Sequence, residues 1–411
     1  MGALTALDLT ALDAVLKEQY PVKDITEVIN KEILLLQRID KTGEGIDATG
    51  RRAVVPLKHG FNQGVGARAE GGTLPAAGAA RFKDTIISLK RLYGKAKLSG
   101  IAVKLTASQE GAFARAIDIA MEDLIDSFKK DVNRQLQLEG TGNMARVLSV
   151  AGQVITLDRP LEEPTKYLAM DMKVDIKTAS GGTTHLDSGT IDSVDPDTNT
   201  ITMISADTLT SVVAGDLVFR EDSDTYEMMG LRGIIDHNLV DSLQGIARSS
   251  YPWWKSAYID DTTTVLSTDV MRTLLRKVRR YVGTRKDFAY YMTLELFDKL
   301  GGIKENDKRF YGTMKVEGGL EVITYLGIPI FTDPDFYPRT LDLLCEKLLV
   351  MVSASDFEWA VGVMGNIWQP CWVGASGTDE YEALLFTYKN LATYNPRGIA
   401  SARTLDWTQS S

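Results

Sequence analysis

Cysteine is nearly absent. The 411 residues hold two, Cys345 and Cys371, too few and too late in the chain for a disulfide framework, and they read as buried apolar side chains. Histidine is as scarce. His59, His185 and His237 lie far apart, and no CxxC, HxxxH or HExxH spacing occurs, so no zinc site is expected. There is no Gly-x-Ser-x-Gly, no Walker loop and no spacing that pairs two carboxylates. The expectation is a protein that is not an enzyme and carries no cofactor and no metal. Asp8 and Asp13 interrupt the segment where a secretion signal needs an apolar core, no N-x-S/T sequon occurs, and no run of 18 apolar residues exists. These absences predict a chain without a membrane partner, kept in the cytoplasm or in something assembled there. Positive charge is also short: 46 Lys and Arg against 55 Asp and Glu leave a net charge of −9. A dedicated nucleic-acid binder would carry a basic footprint instead.

What is present is ordinary globular material. Apolar residues make up 44% and charged residues 25%, enough for two or three domains with real cores. Residues 1–50 are acidic, with Leu9, Leu12, Val15 and Leu16, then Val28, Ile29, Ile33 and Leu36, at helical spacing. They suit either an arm on a neighbour or a helix pair on the chain's own core. The strand-like run Arg52–Lys58 leads into FNQGVGARAEGGTLPAAGAARF, rich in Gly and Ala and without hydrophobic period, and a second run, DTIISLKRLYGKAKLSGIAVKLT, follows. Together they predict a long two-stranded hairpin with a flexible tip. From Arg81 to Lys97 six basic residues face only Asp84, which suits a solvated strand pair or an arm that reaches an acidic surface.

Residues 106–139 carry the clearest helix. Thr106 and Gln109 form a capping-box pair, an apolar face runs from Phe113 to Leu136, and Gly140 and Gly142 end it. Its length would be roughly 50 Å. Residues 144–228 switch to short β runs divided by turn clusters, the pattern of a small barrel or sandwich. No Lys or Arg occurs between Lys177 and Arg220, while Asp187, Asp192, Asp195, Asp197, Asp207 and Asp216 do. Residues 229–411 return to α/β. Thr268 is expected to cap a helix whose inner side is Met271, Leu274, Leu275, Val278 and Val282, and whose outer side is basic from Arg272 to Arg280. A strand, FAYYM, precedes a helix Leu294–Leu300 closed by Gly301-Gly302. Strands are expected around Leu320–Tyr325, Ile328–Thr332 and Lys347–Val352, with a final strand pair over Tyr381–Ala392.

Several local patterns mimic sites. Gly64-Val65-Gly66-Ala67-Arg68-Ala69 matches a dinucleotide fingerprint, but Glu70-Gly71-Gly72-Thr73-Leu74-Pro75 cannot start the helix that must follow. Asp195-Pro196-Asp197-Thr198-Asn199 imitates a calcium loop, yet the sixth and twelfth positions are Thr200 and Ala206, so a β-turn is expected. Trp253 and Trp254 suit core or interface packing better than a stacking site. The basic helix face suits solvent or an acidic neighbour better than phosphate.

The order of these parts resembles the major capsid protein of tailed phages, the Hong Kong 97-type head-protein fold that encapsulin shells share. The resemblance rests on the hairpin RRAVVPLKHGFNQGVGARAEGGTLPAAGAARFKDTIISLKRLYGKAKLSG and the helix LTASQEGAFARAIDIAMEDLIDSFKKDVNRQLQLEGTG. YLGIPIFTDPDF and KLLVMVSASDFEWAV are similar to the last third of such proteins. It implies an α+β capsid fold with an N-terminal arm (1–56), an extended loop (57–105), a spine helix of a peripheral domain (106–143), an inserted acidic β-barrel or sandwich (144–230), an axial domain (231–376) and C-terminal strands returning to the peripheral domain (377–411).

The implied function is structural: self-assembly into hexamers and pentamers of an icosahedral phage head around double-stranded DNA that is touched weakly. The capsid of the virion would assemble in the host cytoplasm. An encapsulin-like shell around cargo enzymes is the alternative; a hydrolase or transferase lacks a recognisable catalytic set, and a monomeric adhesion protein does not suit the long charged hairpin. Fewer than 60 residues precede the extended loop, which predicts a separate scaffolding protein; the resemblance also implies a portal as partner and leaves a decoration protein open. The family's crosslinking lysine and asparagine match no motif here. The expected intersubunit contact sets Arg68, Arg81, Lys83, Lys90, Arg91, Lys95 and Lys97 against an acidic surface, with Asp187, Asp192, Asp195 and Asp197 of the β insertion as its candidate.

Overall fold

The computed structural model describes residues 35, 38–41, 52–101 apart from 61, 63, 71, 74, 77 and 80, then 110–158, 163–260, 265–282, 287–305, 311–315, 321–333, 336–360, 369–370, 379–403 and 405. The helical pattern expected before residue 35, the Thr106/Gln109 cap and Cys371 lie outside the described residues.

A helix, Glu110–Gln137, runs through the molecule; at 1.5 Å per residue it is about 42 Å long. Ala120, Phe128, Val132 and Leu136 recur at helical spacing and are buried. The helix ends where Gly140 and Gly142 take φ of +77° and +90°. A Cβ on Gly140 would stand 2.9 Å from the Met228 carbonyl oxygen, so the close approach of the 228–229 backbone also requires glycine.

Against this helix lies a five-stranded sheet organised on one long strand, Glu380–Thr393. One side of that strand pairs antiparallel with Lys90–Ser99; the other pairs with Leu349–Trp359 and with Gln369–Pro370. Asp40–Lys41 adds a short parallel edge on Leu349–Trp359. The region expected to hold a final strand pair is thus a single strand, because it has partners on both sides and makes no turn.

The hairpin differs from expectation in a way that matters. Arg52–Lys58 pairs in register with Phe82–Ser88, from Arg52 opposite Ser88 to Lys58 opposite Phe82. The chain then breaks at Leu89, and Lys90–Ser99 leaves the hairpin for the five-stranded sheet. The second basic run is therefore two strands in two sheets.

Residues 143–220 form six strands that close into a barrel. Leu217–Arg220, Asn143–Ala151, Val154–Asp158, Thr200–Met203, Thr184–Asp195 and Lys173–Lys177 follow one another, the last pairing with the first. Ile155, Val174, Ile176, Ile191, Ile201 and Val218 fill the interior completely shielded from solvent. In a closed barrel of this size, inward-facing residues such as these alternate with outward-facing ones along each strand.

The remaining unit is a seven-stranded sheet in the order Ala257–Asp260, Ile399–Arg403, Leu341–Cys345, Phe288–Met292, Ile328–Thr332, Glu321–Tyr325, Tyr311–Lys315. All five residues of Phe288–Met292 are buried, the signature of a central strand covered on both faces. The helix Thr268–Val282 packs Met271, Leu274, Leu275 and Val278 onto it. Tyr290 Oη donates to the Met271 carbonyl at 3.0 Å.

Three local expectations need correcting. The cap of this helix is Ser267, whose Oγ accepts from Val270 N at 3.4 Å, not Thr268. The helix from Leu294 runs through Gly301-Gly302 to Glu305; a glycine weakens a helix by about 1 kcal/mol without ending it. The sheets also ignore the sequence boundary at 376. Leu349–Trp359 belongs with Glu380–Thr393, and Ile399–Arg403 crosses back between Leu341–Cys345 and Ala257–Asp260.

Candidate functional site

Among the described residues no group of three His, Cys, Asp or Glu side chains could hold a metal ion. The features with chemical content are surfaces: the hairpin, the strand after it, the barrel and the basic helix.

The hairpin is fixed at its root and bare at its tip. Ala53 and Ile87 are buried against Val350, Val352 and Ala392. Further along, Ile86 N donates to the Gln244 carbonyl at 2.9 Å. His59 stacks on Trp253, centroids 5.0 Å apart and planes within 9°. Trp254 is buried and donates from Nε1 to the Leu243 carbonyl, so the Trp pair supports the hairpin from below. Beyond His59 none of the described tip residues is buried; Val65 is 85% exposed, and Phe82 on the strand is 62% exposed. Exposed apolar residues on a projecting arm suit a second surface. Residues 64–69 are turn and coil, and no described residue after them before Phe82 is helical, so the Gly-x-Gly pattern lacks the helix N-terminus that holds pyrophosphate.

The expected contact residues do not sit together. Arg68 is exposed in the tip, and Arg81 is exposed at the tip end of the returning strand, where its carbonyl accepts from His59 N. Lys83 lies over the Tyr251 ring, Nζ 5.3 Å from its centroid. The other four lie on Lys90–Ser99, away from the arm. Lys90 donates to the Thr225 carbonyl at 2.6 Å, and burial lowers its pKa. Arg91 is exposed. Lys95 pairs with Glu382 at 2.6 Å, and Lys97 with Glu380 and Glu382 at 3.3 Å each; the hydrogen bond to Glu382 leads in raising the Lys97 pKa. Lys95 and Lys97 are thus occupied within their own sheet, as cross-strand pairs with Glu380–Thr393.

Asp187, Asp192, Asp195 and Asp197 are all exposed on the barrel, along strand Thr184–Asp195 and its terminal turn. In that turn the Asp195 carboxylate accepts from Asp197 N at 3.0 Å and from Thr198 Oγ1 at 2.7 Å, and Asn199 takes φ of +52°. This is a side-chain-locked β-turn, not a cation loop. The Thr198 hydroxyl leads in holding the Asp195 carboxyl below its ordinary pKa. The other two acids of the stretch are occupied: Asp207 accepts from Thr190 N, and Asp216 from His185 and Val213 N.

A buried ionic knot ties barrel to helix. Arg134, 1% exposed, binds Asp131 through Nε at 3.1 Å and Nη2 at 3.0 Å, and also reaches Glu227. Arg220, at the end of the last barrel strand, stands 3.6 Å from Asp131. Gln135 donates to Asp131 and accepts from Met228 N. Burial pushes the Glu227 carboxyl up against the pull of Arg134. Sequence patterning marked Gly140 and Gly142 at this junction, but gave no signal that Arg134 and Glu227, 93 positions apart, would meet.

No protein-family model matches the chain, and no curated protein matches it either. Solved structures do. The capsid asymmetric unit of cyanophage A-1(L) superposes with a TM-score of 0.56 at 13% identity, covering 97% of this chain and 99% of that one. The holo-SrpI encapsulin complex from Synechococcus elongatus PCC 7942 gives a TM-score of 0.50 at 10% identity, covering 98% and 97%. The fold is therefore the α+β fold of closed protein shells. It is the Hong Kong 97-type head-protein fold, matched over nearly the whole length of both neighbours.

Proposed function

We propose that this chain is a structural subunit that assembles with copies of itself into the hexamers and pentamers of an icosahedral phage head around double-stranded DNA. The observation that carries the reading is the full-length likeness to a shell subunit, together with an arm that buries none of its described tip residues. In this reading 57–105 is the extended loop, 106–143 the spine, 144–230 an inserted β-barrel domain, 231–376 largely the axial domain, and Lys90–Ser99 with Glu380–Thr393 part of the peripheral domain. Arg68 and Arg81 on the arm, and Arg91 on the sheet edge, supply cations for an adjacent subunit; Lys95 and Lys97 serve the subunit's own sheet. A scaffolding protein, a portal and a decoration protein complete the partners, and the product is the capsid of a virion assembled in the host cytoplasm. Weak contact with enclosed DNA follows from the net charge of −9, since phosphate contacts dominate such affinity.

The likeness to an encapsulin favours a second reading, a shell around cargo protein. One preparation separates them. Electron micrographs of the concentrated protein should show closed particles, and native particles should hold nuclease-protected double-stranded DNA. Particles filled with protein cargo support the second reading. A monodisperse protomer at high concentration, with and without a scaffolding protein, overturns both.

A further inference from the structure

A cleft of about 770 Å³ opens between the helix Thr268–Val282, the start of strand Ala257–Asp260 and the turn before Ile399–Arg403. Five cations line it: Lys255, Arg276, Lys277, Arg280 and Arg397. No carboxylate among the described residues lines it or pairs with any of the five. Their contacts are with neutral atoms. Arg397 donates to the Pro252 carbonyl at 3.1 Å and lies 4.3 Å over the Tyr281 ring. Arg276 donates to Thr273 Oγ1 at 3.0 Å, and Lys277 reaches the Tyr258 carbonyl at 3.5 Å. The favourable field at a helix C-terminus accounts for Arg280. It does not account for Lys255 and Arg397, which come from two other elements. Three of the five side chains are held by these contacts, all five line one cleft, and no described carboxylate compensates their charge.

The barrel carries the complement. Of the six aspartates in a stretch without Lys or Arg, Asp207 and Asp216 are occupied, which leaves Asp187, Asp192, Asp195 and Asp197 exposed. Asp195 fixes its own turn and presents Asp197 at the tip. Two uncompensated surfaces of opposite sign on one polypeptide make a heterologous, head-to-tail contact between copies. We propose that the acidic barrel turn of one subunit docks in the basic cleft of another, fixing the register between neighbours. This rests on the shell reading. Single exposed ion pairs contribute little; a concave cluster of five cations facing several carboxylates is a matching field that sets orientation and on-rate.

The test is a charge swap. Arg276→Glu with Arg280→Glu, and Asp192→Lys with Asp197→Lys, reverse exposed residues and leave Asp195 to hold its turn. Each pair should cut particle yield at least tenfold at about 0.1 M salt while circular dichroism melting stays unchanged, and the two pairs together should restore particles. Undiminished particles from either pair, or no recovery in the combination, overturns the contact. Loss of binding to a duplex DNA oligonucleotide with assembly intact would assign the cleft to phosphate and also overturn it. If the unaltered chain forms no particles, the shell reading fails; sedimentation equilibrium of the same variants then decides the contact, since the swap must still restore self-association.

Discussion

At the scale of single residues, the informative positions are charges taken out of water. Arg134 sits between Asp131 and Glu227 with almost no exposure. Removing it leaves two buried carboxylates short of a countercharge, which costs about 3–5 kcal/mol where such groups have been broken. Arg134→Met should therefore lower stability by about that much in denaturant titration. Glu227→Gln should cost about 1 kcal/mol, because burial already pushes that carboxyl toward its protonated form. Equal losses would contradict the arrangement. Asp342 gives a pH signature. Fully buried, its carboxyl is pushed up from 3.8 to about 6, against the attraction of Arg403. The folded state thus holds a proton that the unfolded chain releases above about pH 4. Stability from this group is complete below that and falls as pH rises toward 6, by roughly 3 kcal/mol. Asp342→Asn removes the dependence, so its stability relative to the natural chain should climb between pH 4 and 6 and level off above. A constant difference across that range would show that Asp342 does not titrate there.

At the scale of elements, legibility followed the length of the pattern. The apolar face of Glu110–Gln137 was plain because an α-helix repeats its burial every turn, and its stop was plain because Gly140 must adopt φ of +77°. Gly140→Ala should cost about 1–3 kcal/mol, from the left-handed backbone and the 2.9 Å approach of the Met228 carbonyl; unchanged melting would mean that the junction yields at no cost. The division at Leu89 was not legible. Residues on both sides are strand formers with interleaved Lys, and only pairing with a strand some 280 positions later, which sets Glu380 and Glu382 beside Lys95 and Lys97, places them in another sheet. The closure of the barrel and the return of Ile399–Arg403 escaped for the same reason, since pairing between distant strands leaves no local mark. The cleft escaped in part: the basic face of its helix was evident, but nothing in the sequence linked Lys255 and Arg397 to it.

At the scale of the whole molecule, the net charge of −9 is the sum of separate territories. Acid lies on the barrel, cation in the cleft and along the arm, and the internal ion pairs are already matched. A chain that folded for itself alone would gain nothing by keeping those territories apart, because each patch repels itself. The arm makes the same point in apolar terms. Its strands rest on Gln244 and Trp253, whereas the described tip residues contribute no buried side chain to the protomer. Replacing residues 62–79 by a short Gly-Ser turn should therefore leave the melting temperature of the isolated chain within about 2 °C, since roughly 1 kcal/mol shifts a chain of this size by only a few degrees. The same deletion should abolish particles, because the reach to the neighbour is gone. Its effect should also be independent of salt, unlike that of the cleft and barrel reversals, whose contact is screened over about 10 Å at 0.1 M. Particles of normal size from the deleted chain would remove the arm from the assembly, and a collapse of the melting temperature would show that the tip belongs to the core after all.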